Sequence, residues 1–479
     1  MLRRHAAGSG ARVTAANRPG ERPEGSAPRW KTALALVSLA LSLLLWLNGL
    51  IDSLSRPSVG NDLNRRQLEL AVLAEPSLSG PLRPLLAGAD PLASLNEALR
   101  SETAAAEENG AGAAADQLLE RALLLQRQGQ AQQARPLLQQ LADGPGPLAS
   151  LAQALLSPGP PPTPAEREAW IAALPQGGVL RPWICEALAG GDACNPAATS
   201  RQAALQLIAV TVLPVLLLLF GSALLLRELW LRWRGRAAEP AALQGPALSG
   251  VDAVLLIAGG FVVVGELLTP LLVAPALTAL LQKLAITSPL REGLTVVSLY
   301  LALMAGPLLI LALMLRGLGS KGALEFRWSP LSRSLGQALK GFLMVLPLVS
   351  LVGWLQGHLW GDAGGSNPLL ELVLNSHNVP ALACFGFTAI VLAPWFEEII
   401  FRGALLPVAA RRLGAAGGIL LSAGVFAVAH LSLGELLPLL VLGCGLGWLR
   451  WSSGRLGSCM LMHALWNGLT FANLVVLGW

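Results

Sequence analysis

Charge is scarce in this sequence. Of its 479 residues 13% are charged, where an ordinary globular chain carries about a quarter. That is too little to coat a soluble surface of this size, and the charges are clustered, leaving long stretches with none. The composition argues against a soluble enzyme, and an integral membrane protein is expected. The basic excess, 34 residues against 29 acidic ones for a net +5, is too small and too dispersed to argue for nucleic acid. Lysine occurs only at Lys31, Lys283, Lys321 and Lys340, which reads as genome composition. Cysteines number five, and no Cys-x-x-Cys zinc pattern occurs among them. Cys384, Cys444 and Cys459 lie in apolar segments and read as small buried hydrophobes.

Other absences narrow the chemistry. The last aspartate is Asp362, so two aspartates cannot pair in the C-terminal segments. No His-Glu-x-x-His and no Gly-x-Ser-x-Gly turn is found. Ser422 and Ser458 are isolated and read as small polar residues at helix contacts.

What the chain has in abundance is apolar runs. A membrane helix needs about 20 of them in sequence. About nine spans are placed, at 32–52, 203–226, 250–281, 293–315, 336–357, 379–405, 415–432, 434–450 and 458–478. Pro270 and Pro275 mark the third for a kink or tilt. The seventh and eighth form a tight hairpin. The fold class is all-α: a polytopic helical membrane protein with a helical extracytoplasmic insert.

The 1–31 stretch is disordered and basic, with Arg3, Arg4, Arg12, Arg18, Arg22, Arg29 and Lys31 before the first span. That span is too long for a signal peptide core, and no convincing small-residue cleavage site follows it. The positive-inside rule places this end in the cytoplasm. Nine spans then put four basic loops on the same side, those holding Arg227 to Arg236, Arg316 to Arg333, Arg411 with Arg412, and Arg450 with Arg455. Residues 53–202 become one extracytoplasmic insert between the first span and the second, 203–226. Within it, 114–142 reads as two amphipathic helices broken at Gly129, similar to one tetratricopeptide-type hairpin. No second copy at a fixed period follows. Pro-rich 157–164 is a breaker or linker. Cys185 and Cys194 share the oxidising side, where a local disulfide is plausible and two unrelated thiols the alternative. The remaining unit is the membrane bundle 250–479.

The chemistry concentrates at the end. Between 379 and 479 the only acids are Glu397, Glu398 and Glu435. The first two follow an apolar stretch and precede another, fourteen residues before Arg411, about 21 Å along a helix. Ionisable groups at such depth are costly, which makes them functional candidates. Glu398 and Arg402 are spaced i,i+4 with Glu first, the favourable order for a pair. Glu397 points elsewhere and stays available to a ligand or water. His430 falls near the same depth on the next, antiparallel span. His463 and Asn467 share a face of the last one. A carboxylate and an imidazole can together take a proton from water and return it to a leaving amine. A His or Asn donor can hold an oxyanion. Alternatively Glu397, His430 and His463 supply three ligands to a zinc-type metal with an open water position.

The ordered set Glu397-Glu398-x-x-Phe401-Arg402, Phe426-x-x-x-His430 and His463-x-x-x-Asn467 resembles the CPBP intramembrane protease family, also called the Abi or type II CAAX prenyl-endopeptidase family. The resemblance covers about 365–479 and leaves 53–202 and the first two spans unexplained. It implies proteolysis within the membrane. Glu397 with His430 would activate water, Glu398 with Arg402 would organise the site, and His463 with Asn467 would form the oxyanion site. It leaves zinc and a metal-independent glutamate mechanism both open. The implied partners are a membrane protein or lipidated peptide substrate and the bilayer of a cytoplasmic-type or thylakoid-type membrane. A protein partner at 53–202 is a further expectation, motivated by that insert's size. The alternative reading is a non-proteolytic scaffold, immunity or assembly factor on the same fold. A proton-coupled transporter ranks behind both, since no inverted repeat supports it.

Overall fold

Among the described residues, eight helical runs are long and apolar enough to cross a membrane. The computed structural model describes residues 27–56, 59–108, 114–157, 162–189, 194–236, 239–240, 242–319, 323–360 and 365–479. The N-terminal stretch expected to be disordered lies outside them up to residue 26, as do Lys321 and the centre of the Pro-rich segment. All elements among the described residues are helical. In chain order, α1 (Arg29–Ser53) belongs to the bundle. The insert follows as α2 (Val59–Ala74), α3 (Pro91–Glu108), α4 (Ala115–Arg127), α5 (Ala131–Ala142), α6 (Pro147–Leu156), α7 (Pro164–Ala173) and α8 (Leu180–Ala189). The chain re-enters the bundle with α9 (Pro196–Trp233), α10 (Gly250–Gln282), α11 (Ser288–Arg316) and α12 (Leu331–Trp360). A short α13 (Pro368–Asn375) leads to α14 (Val379–Val428), α15 (Leu436–Ser453) and α16 (Leu456–Gly478). Leu36, Val37 and Leu44 of α1 and Leu216, Leu219 and Phe220 of α9 face outward. Such a belt is stable against lipid and a liability in water. The chain is a multi-pass integral membrane protein.

The expected sixth and seventh spans are one continuous run of 50 residues. Straight, it would reach about 75 Å, far more than a bilayer. Gly414 bends it, at φ 72° and ψ 170°, a conformation open to glycine. The arms 379–413 and 415–428 fold back on each other. Ser422 Oγ donates to Phe401 O at 3.0 Å, and a side chain at Gly418 would lie 2.8 Å from Ala410. The antiparallel relation expected of the two segments therefore holds, with a glycine bend for a loop. α10 differs as well. Where two prolines led to the expectation of a kink, Leu255–Val273 winds as a π-helix around Pro270.

Basic residues gather at one end of the bundle. Lys31 pairs with Asp252, Arg411 donates to Pro246 O and Leu248 O, Arg450 to Gln244 O, and Arg455 to Arg327 O and Ser329 O. The insert sits at the opposite end. There Leu70 and Ala74 of α2 pack with Leu207 of α9, Leu374 of α13, Leu382 of α14 and Leu474 of α16. Beyond that seat, α4 and α5 form the expected hairpin around Gly129, which has φ 76°. Leu119 and Leu123 meet Leu138 across it, and the core runs on to Leu151, Trp170 and Ile184. Cys185 and Cys194 form a disulfide, with Cα atoms 5.9 Å apart.

Candidate active site

Glu397 and Glu398 sit in the first arm of α14 between two π-helical stretches, Phe387–Leu392 and Ile399–Leu405. Wide turns of this kind are frequent at functional sites because they re-aim side chains. Here one has a visible cause and remedy. In π register the donor to Ala389 O would be residue 394, and Pro394 has no N–H to give. Asn467 supplies it, its Nδ2 donating to Ala389 O at 2.8 Å. Asn467, expected at the oxyanion, thus commits its amide nitrogen to a backbone carbonyl.

Glu398 is fully buried. Its Oε1 accepts from Arg402 Nη1 at 3.0 Å and from His463 Nδ1 at 2.9 Å. The Arg402 pairing follows the i,i+4 expectation. The guanidinium, also fully buried, donates through Nη2 to Gly443 O at 3.2 Å and lies 4.3 Å over the Phe426 ring. A charge buried this completely requires such company. Gly443 makes room for it: a Cβ there would stand 2.9 Å from Ala423 Cβ and 3.3 Å from Arg402 Nη2.

His463 reaches Glu398 because α16 starts inside the protein. Helix arithmetic from Arg455 leaves it too shallow. Instead Leu456 and Gly457 are covered, and their N–H groups donate to Glu325 O and Phe326 O at 3.0 and 2.9 Å. Those bonds cap the helix's orphan donors with the segment after α11, and Trp328 lies over Gly457.

Glu397 has a different environment. Its Oε1 accepts from Tyr300 OH of α11 at 3.2 Å. Its Oε2 is buried without a hydrogen-bond partner and lies 3.9 Å from His463 Nε2. That gap is too long for a direct hydrogen bond and short enough for one oxygen atom to touch both groups. With Nδ1 engaged by Glu398, Nε2 is the His463 atom turned toward Glu397.

His430 stands just beyond the last turn of α14. Its Nδ1 approaches Phe426 O at 2.8 Å. A carbonyl only accepts, so Nδ1 carries the hydrogen and Nε2 is the basic nitrogen of the neutral ring. Its ring packs edge-on to Phe426 at 4.7 Å, and Phe426 also meets the His463 ring at 5.7 Å. The loop after His430 is held from the insert end. Arg56 donates to Leu431 O, and Leu433 N donates to Ser53 Oγ at 3.3 Å. Glu435 on that loop is raised above the usual carboxylate range by burial, against the opposing pull of His430 and Arg56.

The expected metal ligands Glu397, His430 and His463 do not form a ligand set. Among the described residues no group of three or more His, Cys, Asp or Glu side chains could hold a metal ion. His430 lies past the helix end, with Phe426 against its ring. The carboxylates and imidazoles in place can carry proton transfer. Ser422 and Ser458 serve helix contacts, the latter donating to Gln337 Oε1 at 3.1 Å.

Sequence reasoning missed Tyr300 and Glu266. Tyr300 is the single tyrosine of the chain, which was a signal. Glu266 is an acid within the third span, and its Oε2 accepts from Trp46 Nε1 at 3.0 Å.

Two families match parts of the chain. Residues 379–469 match the family described as Type II CAAX prenyl endopeptidase Rce1-like, which bears out the resemblance over this C-terminal region. Residues 60–205 match a domain of unknown function (DUF8675). No curated protein and no solved structure matches the chain.

Proposed function

We propose that this protein is an intramembrane endopeptidase that hydrolyses membrane-associated or CAAX-like protein substrates with a water activated by Glu397. One observation carries this reading. Of two adjacent glutamates, each with a buried Oε2 that has no hydrogen-bond partner, Glu398 is held through Oε1 by Arg402 and His463, while Glu397 turns its free oxygen toward His463 Nε2, 3.9 Å away. An unsatisfied buried acceptor is costly, and a reacting water in that gap would satisfy it.

In this mechanism Glu397 Oε2 takes a proton as the water oxygen attacks the scissile carbonyl carbon. His430, past the end of α14, is left outside this step. His463, oriented by Glu398, presents Nε2 toward the oxygen where negative charge builds. The C–N bond then breaks, and the leaving amine takes the proton from Glu397. Asn467 acts through Ala389, holding the π turn that aims Glu397. The bundle's basic end is assigned to the cytoplasm by the positive-inside rule, with the insert outside.

The test is cleavage by purified protein in lipid nanodiscs. The probes are a farnesylated Cys-aliphatic-aliphatic-X peptide and unmodified transmembrane peptides, with bound metal measured on the same sample. Cleavage by wild type that is lost in Glu397→Gln supports the proposal. Equal cleavage by both, or none by wild type on any probe, overturns it. Stoichiometric zinc whose removal abolishes cleavage would replace the metal-free mechanism.

A further inference from the structure

We propose that Tyr300 is a positioning residue for Glu397, presented by membrane helices that lie outside residues 379–469. This rests on the reading of Glu397 as the water-activating base. The outer torsion of a glutamate is broad and roughly two-fold, so an unrestrained carboxylate would offer either oxygen in many directions. Tyr300 removes that freedom. Its hydroxyl donates to Oε1 at 3.2 Å, and the oxygen left over, Oε2, is the one 3.9 Å from His463 Nε2.

The tyrosine is itself held. Its ring meets Phe396 edge-on at 6.4 Å and 89°, and Phe396, fully buried, packs on Phe261 of α10 at 5.8 Å. α10 and α11 approach closely because a small residue faces the partner's backbone: a Cβ on Gly265 would stand 3.3 Å from Leu303 O. Glu266, beside that glycine, is tied to α1 through Trp46. Three helices thus converge behind one oxygen of Glu397. The charged and titratable groups around Glu397 are then Tyr300 from α11, Glu398 and Arg402 from its own helix, and His463 from α16. Glu266 stands behind Tyr300.

The experiment uses the single tyrosine as a probe. The full chain, made with tyrosine carrying 13C at the hydroxyl-bearing ring carbon and placed in nanodiscs, gives one tyrosine resonance. That resonance is expected to shift between wild type and Glu397→Gln, because a charged acceptor becomes neutral. An unchanged resonance overturns the proposal whatever the enzyme does. In the cleavage assay Tyr300→Phe is expected to lower kcat about ten- to a hundredfold, the worth of a hydrogen bond to a charged group, with KM unchanged. A wild-type kcat in Tyr300→Phe beside an inactive Glu397→Gln sinks the positioning role and leaves the protease reading standing. An active Glu397→Gln sinks the protease reading instead.

Discussion

His463 donates to Glu398 at 2.9 Å across 65 residues of sequence, and that bond gives neighbouring glutamates separate tasks. Glu398 is the anion that keeps Arg402 and His463 in place. Glu397 faces the gap.

The two should therefore respond differently to substitution. Glu398→Ala leaves the buried Arg402 charge without its carboxylate, at a cost of about 3–5 kcal/mol. It should lower the thermal midpoint of the purified protein and abolish cleavage together. Glu397→Gln removes a carboxylate held by one phenol, so its midpoint should stay near wild type while cleavage is lost. Thermal unfolding beside a cleavage assay checks both, and equal destabilisation by the two variants would contradict the division.

Gly443 should tolerate no side chain. A Cβ there meets Ala423 Cβ at 2.9 Å and Arg402 Nη2 at 3.3 Å, so Gly443→Ala is expected to cost about 1–3 kcal/mol as overpacking and Gly443→Val more. Because the carbonyl that Arg402 reaches belongs to the same residue, cleavage should fall with stability. A Gly443→Val protein that melts and cleaves as wild type would show that α14 and α15 pack with slack here.

Much of this site was legible in the sequence, because scarce charge in apolar spans marks its own positions. Glu397, Glu398, Arg402 and His463 do meet, and the Glu398–Arg402 pair follows from helical spacing alone. Straight-helix arithmetic carries His430 to the level of Glu397, and the structure adds that the helix ends two residues before it, at Val428. The same arithmetic leaves His463 too shallow, since nothing in its own helix reveals that Glu325, Phe326 and Trp328 cover that helix's first turn. Tyr300 was invisible to any reading confined to the acids and histidines, and only tertiary packing brings α11 to Glu397. The Gly414 bend was hidden by the alanines and glycines around it, which read equally as loop and as helix.

Asn467 and Pro394 should be energetically coupled. Asn467→Ala takes the side-chain donor from the half-buried Ala389 O, a loss of about 1–3 kcal/mol. Pro394→Ala restores a backbone N–H that can reach that carbonyl, so the double variant should lose less than the sum of the single losses. A double-mutant cycle on thermal unfolding reads this coupling. Cleavage that recovers in the double variant identifies Asn467 as a backbone clamp. Cleavage that stays lost while stability recovers places its amide at the oxyanion.

The insert carries a pH dependence of its own. Arg65 lies 2.8 Å from Glu69, 3.4 Å from Glu120, 3.5 Å from Glu102 and 3.4 Å from Asp62. Four carboxylates around one guanidinium exceed its charge. Glu120 is raised well above the usual range by burial first and by Glu69 next, with Arg65 and Arg66 pulling the other way. Glu102 is raised by burial in the same sense. A carboxyl that binds its proton more tightly folded than unfolded stabilises the fold below the unfolded pKa, about 4.3 for Glu. That contribution is lost as pH rises through the raised folded value. Denaturant unfolding of the insert in the nanodisc-embedded protein, read by pulse proteolysis, should give a midpoint that falls as pH rises above the unfolded value of about 4.3. Glu120→Gln removes the main titrating group and should flatten that fall, raising stability at neutral pH and changing it least at acidic pH. A midpoint rising with pH in wild type would mean that the pull of Arg65 and Arg66 on Glu120 outweighs its burial.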